Sequence, residues 1–111
     1  MMSQNNLTPE EYALWDIVRD RPGPENAIRQ KVLARMVHIP VREIRMITLS
    51  LNEKKYPVAT TTRPPFGVYR MRGAADRDAY IAQLMSRVKE TAYRARLVEA
   101  LDFGNGQLKM F

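Results

Sequence analysis

Cysteine is absent from the 111 residues. That absence excludes disulfides, thiolate zinc sites and cysteine nucleophiles, and it fits a reducing compartment. Long apolar runs are missing as well. None approaches the roughly 18 residues that a membrane-crossing helix needs, and the opening MMSQNNL has no signal-peptide core. The expectation is a cytoplasmic protein with no membrane attachment. Histidine occurs once, as His38, so a histidine-built metal site is out of reach. The sequence offers no nucleophile-base pair, Gly-rich phosphate loop or carboxylate cluster, which argues against an enzyme and against a bound cofactor. Acids are scarce where bases are frequent: residues 27 to 73 carry ten Lys/Arg against two acids, a net +8, in a chain whose total is +6. A basic segment flanked by more acidic ones is the electrostatic footprint of a partner that carries phosphates.

What is present fits one domain with a core of its own. Residues 1 to 6 are polar and expected to be disordered. Thr8-Pro9-Glu10-Glu11 is a helix start: Thr8 caps, Pro9 takes the first helical position, and Glu11 stands three residues after the cap to close a capping box. The helix is expected to reach Asp20, with Leu14, Ile17 and Val18 inward, Trp15 at the margin, and Arg21-Pro22-Gly23-Pro24 as its stop. Ala27 to Asn52 then reads as two helices. Ile28, Val32 and Met36 recur every fourth residue in the first, and Ile44, Ile47, Thr48 and Leu51 share one face of the second. Pro40 cannot sit inside a helix and restricts Ile39, so the chain turns around His38.

Tyr56 to Thr62 is rich in β-branched residues and reads as a strand. Arg63-Pro64-Pro65-Phe66 is a loop, and Gly67 to Met71 is the return strand of a hairpin. From Ala74 to about Leu101 there is neither proline nor glycine, which predicts one helix about 40 Å long. Asp102 to Gly106 holds turn residues that end it, and the tail to Phe111 is expected to be flexible. The fold class is therefore mainly α with a small β-hairpin and a long C-terminal helix. The division expected is 7–73 as the main domain, 74–101 as the helix, and 102–111 as a tail.

At about 100° per residue, the helix over 41–52 directs Arg42, Arg45, Met46 and Leu49 away from its core side. Arginine can fork onto guanine O6 and N7, and an apolar neighbour can touch a thymine methyl, so these four residues form a base-reading set. Lys31, Arg35, Lys54, Lys55, Arg63, Arg70 and Arg72 are phosphate candidates, whose contacts would hold register without reading sequence. In the C-terminal helix Ile81, Leu84, Val88, Ala95 and Val98 form a seam suited to dimerisation, with small residues that let a second backbone come close; a helix folded back over the core is the alternative.

Leu33-Ala34, Arg42, Ile44-Arg45, Leu51, Tyr56-Pro57-Val58 and Gly67-Tyr69, the last pair with Val68 between, carry a family resemblance. The pattern over residues 7–72 resembles a winged helix-turn-helix domain of the biotin-repressor-like and DeoR-like kind found in bacteria and bacteriophages. Two positions differ from that pattern: Pro40 replaces a Ser or Thr cap, and Lys54-Lys55 replaces a glycine before the Tyr-Pro. The resemblance implies double-stranded DNA as partner, with the helix over 41–52 in the major groove and the hairpin as a wing on the backbone. The expected function is transcription regulation by a small homodimer. A module that binds a host protein, and a non-specific architectural or replication DNA binder, are the alternatives.

Overall fold

A computed structural model of the chain describes residues 7–64 and 66–101. Four α-helices and one antiparallel hairpin make up its regular structure: α1 (Pro9–Val18), α2 (Gln30–Val37), α3 (Val41–Glu53), β1 (Val58–Thr61), β2 (Gly67–Arg70) and α4 (Ala74–Glu99). The chain is thus mainly α with a two-stranded hairpin and a long C-terminal helix. The expected disordered N-terminus at 1–6, the terminator at 102–106 and the tail to Phe111 lie outside the described residues.

Local chemistry explains where α1 begins. Thr8 Oγ1 accepts from the Glu11 N–H at 3.1 Å, and Glu11 Oε1 accepts from the Thr8 N–H at 2.9 Å, so both arms of the capping box are formed. The helix ends at Val18, two residues before the expected Asp20, as Asp20 and Arg21 close onto Ile17 and Val18 carbonyls in tighter turns. α2 ends at His38, whose backbone is left-handed (φ 58°) and whose N–H donates to the Ala34 carbonyl. Pro40 caps α3 without a side-chain hydrogen bond, and α3 closes through Lys54 into Lys55, which takes φ 73°. Asn52 Nδ2 then donates to the Tyr56 and Val58 carbonyls at 3.0 and 2.9 Å, tying the end of α3 to β1.

The hairpin pairs Val58 with Arg70, Ala59 with Tyr69, Thr60 with Val68 and Thr61 with Gly67. The other edge of β2 is covered too. Ile28 bridges Val68 in antiparallel fashion through two hydrogen bonds of 2.8 and 2.9 Å, and Pro22 bridges Arg70 in parallel. A single 3₁₀ turn at Pro24–Asn26 connects these two bridges. Ala27 to Arg29 is therefore extended chain against the sheet. This corrects the expected helical face of α2. Ile28 is buried as a strand residue, whereas Val32 and Met36 are 39% and 52% exposed. Leu33 and Ala34, with Val37 beside them, form the inward face instead.

The core gathers Leu14 and Val18 from α1, Leu33 and Ala34 from α2, Ile44 and Leu51 from α3, and Val58 and Val68 from the hairpin, with Ile28 and Ile39. Trp15 sits at its margin, edge-on to Tyr56 with ring centres 5.1 Å apart. The expected inward set of α3 is found as Ile44, Thr48 and Leu51 buried and Ile47 half-buried.

The chain divides into two compact units, Met1–Tyr80 and Ile81–Phe111. The boundary falls later than the expected Gly73. The opening turns of α4 belong to the first unit, where Tyr80 packs on a cluster of Ala27, Ala59 and Tyr69 and Asp76 is buried. Beyond Tyr80, no described residue is buried. No helix among the described residues is long and apolar enough to cross a membrane.

Candidate nucleic-acid interface

α3 is held by its buried side, and that fixes what its outer side presents. Ile44 and Leu51 are fully buried, and Thr48 is buried with its hydroxyl donating to the Arg45 carbonyl at 2.7 Å, so that buried hydroxyl has its partner. Opposite them Arg42 and Arg45 are exposed, Met46 is 68% exposed and Leu49 57%. Neither arginine makes an ion pair among the described residues. Each guanidinium is thus available as a fork of donors, with an apolar side chain on the same face.

The seven bases expected on phosphate fall into two groups. Lys54, Arg70 and Arg72 are tied into the fold. Lys54 Nζ lies 2.6 Å from Glu11 Oε1, and Arg70 Nε donates to the Arg19 carbonyl at 2.9 Å. Arg72 is clamped twice, onto Asp76 by Nε at 2.8 Å and Nη2 at 3.0 Å, and onto Glu25 by Nη1 at 2.6 Å. Lys31, Arg35, Lys55 and Arg63 are exposed and without an ion pair among the described residues. Lys31 and Arg35 line a shallow open depression with His38, Pro40 and Val41, which sets two bases beside the first turn of α3. That turn carries the positive end of the helix dipole. Arg63 stands in the hairpin loop, where the Thr61 hydroxyl accepts from the Arg63 N–H at 3.1 Å and the Phe66 N–H donates to the Arg63 carbonyl at 2.7 Å.

Two acids shape the frame behind this surface, and beyond Glu11's part in the capping box neither role is visible in the sequence. Glu11 is buried and accepts from Lys54, from the Ser50 hydroxyl and from the Thr8 N–H. Burial alone would push its carboxyl up, but these donors outweigh that effect and hold it below the ordinary 4.5. Asp76 is held at about 2 by the Arg72 side chain, helped by the Arg72 N–H, while burial opposes the shift. The same contacts raise the Arg72 guanidinium. Glu11 thereby fastens the start of α1 to the end of α3, and Asp76 fastens the start of α4 to the segment after β2.

Among the described residues no cluster of His, Cys, Asp and Glu is arranged to hold a metal ion. Compared with family models, curated proteins and solved structures, the chain matches none.

Proposed function

We propose that the protein is a sequence-specific double-stranded DNA-binding protein of winged helix-turn-helix type, of bacterial or bacteriophage character, acting in the cytoplasm as a small homodimeric transcription regulator. The observation that carries this reading is the outer face of α3, where Arg42 and Arg45 stand exposed, and without an ion pair among the described residues, beside Met46 and Leu49 on a helix locked by its opposite side. α2, the turn at His38 and α3 supply the helix-turn-helix, and the hairpin with Arg63 in its loop supplies the wing. Lys55 adds support: its φ of 73° is the conformation for which the family pattern uses glycine at this place.

α3 enters the major groove, Arg45 and Arg42 read guanine edges, and Met46 and Leu49 meet thymine methyls. Lys31, Arg35, Lys55 and Arg63 contact phosphates. Selection of bound fragments from random duplex DNA at a stated salt concentration tests the reading. An enriched motif supports a regulator, uniform retention would make the protein an architectural binder, and no retention would overturn DNA binding altogether. A second reading has one observation in its favour. The exposure of Met46 and Leu49 also suits a surface for a host protein, which the last outcome would support.

Salt dependence provides a quantitative check. Four phosphate contacts release about 0.9 counterion each, giving a slope of log affinity against log salt near −3.6 from these side chains. Arg63→Ala is expected to make the slope shallower by about one, equally on every DNA sequence. A slope that does not change would remove the hairpin from the interface.

A further inference from the structure

From Ile81 to Glu99 the long helix carries an apolar stripe that is exposed among the described residues. Ile81, Leu84, Val88 and Val98 are between 40% and 59% exposed, and Thr91 and Ala95 lie in the same row. The spacing of that row alternates three and four residues, which is the seam of a two-helix supercoil. Thr91 does not interrupt it chemically. Its hydroxyl already donates to the Arg87 carbonyl at 2.8 Å, so burying the side chain leaves no unpaired polar group.

We propose that this stripe is covered by the same stripe of a second copy, with the two helices parallel. Two features select that occupant and orientation. In the first half of the stripe β-branched Ile81 and Val88 hold one seam position and Leu84 the other, the arrangement that favours two parallel strands, while Thr91, Ala95 and Val98 make the second half smaller. Arg94 and Glu99 flank the seam on opposite margins, five residues apart, which is the offset at which flanking charges meet across a parallel pair. Arg94 of each copy then faces Glu99 of the other, giving two equivalent ion pairs. An antiparallel arrangement would instead bring arginines of one margin, Arg87 and Arg94, against one another. Glu99 and Arg94 thus set opposite charges along the two margins of the stripe, which disfavours a lipid surface as its cover.

Parallel pairing sets each seam residue of one helix beside the same residue of the other. It extends the homodimer of the preceding reading but is tested without DNA, so its failure and the failure of DNA binding are separable. Sedimentation of the full chain is expected to show a dimer, and Val88→Glu a monomer with unchanged helix content by circular dichroism. Arg94→Glu and Glu99→Arg should each weaken the dimer several-fold, and the double exchange should restore it. The chain has no cysteine of its own, so orientation can be read by oxidation. Leu84→Cys and Val98→Cys should each cross-link to themselves. A monomer at all accessible concentrations would overturn the proposal. Cross-linking only in a mixture of the two cysteine variants would do so as well, because it marks antiparallel helices.

Discussion

Gly67→Ala is expected to destabilise the first unit by about 3 kcal/mol or more, lowering its Tm by about 12 to 24 °C. Gly67 opens β2 with φ +150°, and a Cβ there would lie 2.1 Å from the Ile28 carbonyl oxygen and 2.5 Å from its carbon. Both obstacles are backbone, so no side-chain rotation relieves them. The segment carrying Ile28 must move off the edge of β2, which breaks the pair of hydrogen bonds to Val68 and opens the cover over Ala27 and Ile28. Each lost backbone hydrogen bond costs about 1 kcal/mol, and the exposed apolar surface and local strain add to that. Gly73→Ala is the matched control, since a Cβ there meets nothing within 4 Å. Its effect should stay within about 1 kcal/mol. Equal thermal stability of the two variants would show that the Ile28 segment is not paired with the sheet.

Glu11→Ala is the second large effect, expected at about 2 to 3 kcal/mol near neutral pH. The substitution removes the acceptor for Lys54, for the Ser50 hydroxyl and for the Thr8 N–H in one step, at a site only 5% exposed. Glu10→Ala, at an exposed position of the same first turn, should cost no more than about 0.5 kcal/mol. The acid dependence follows from the direction of the shift. The folded carboxyl lies below its ordinary 4.5, so its contribution is complete above that value and disappears as pH falls through the lower folded one. Asp76 has the same sign, its contribution lost between its ordinary 3.8 and about 2. Denaturant unfolding at pH 7 and again near pH 3 should therefore show the gap between wild type and Glu11→Ala narrowing in acid. A gap that is constant with pH would mean that the charge of Glu11 does not stabilise the fold.

The features legible in the sequence are those set by near neighbours. Thr8 and Glu11 are three residues apart, and their mutual capping needs nothing beyond α1. The period of α3 holds over 13 residues, long enough for Ile44, Thr48 and Leu51 to define its inner side and Arg42, Arg45, Met46 and Leu49 its outer one. Ile28 shows the limit. It shares a four-residue spacing with Val32 and Met36, and only Val68, distant in the chain, makes it a strand residue. A tertiary hydrogen bond overrode a helical period. The site divides in the same way. Composition locates the basic segment but does not distinguish Arg63, which has no ion pair among the described residues, from Arg72, which is held by Glu25 and Asp76 from two other parts of the chain. Glu11 looked complete as a capping residue, and its ties to Ser50 and Lys54 span about forty positions.

Arg45→Ala separates base reading by α3 from phosphate holding by the hairpin and α2, the two roles proposed for this surface. Arg45 is exposed one turn into α3 and unengaged by any acid among the described residues. A bidentate arginine-guanine contact contributes about 1 to 3 kcal/mol of discrimination. Affinity for the selected duplex should therefore fall about five- to 150-fold, with preference relaxed at one base pair and affinity for random duplex changed much less. Equal loss on selected and random DNA would contradict base reading by α3 and leave Arg45 as one more phosphate contact.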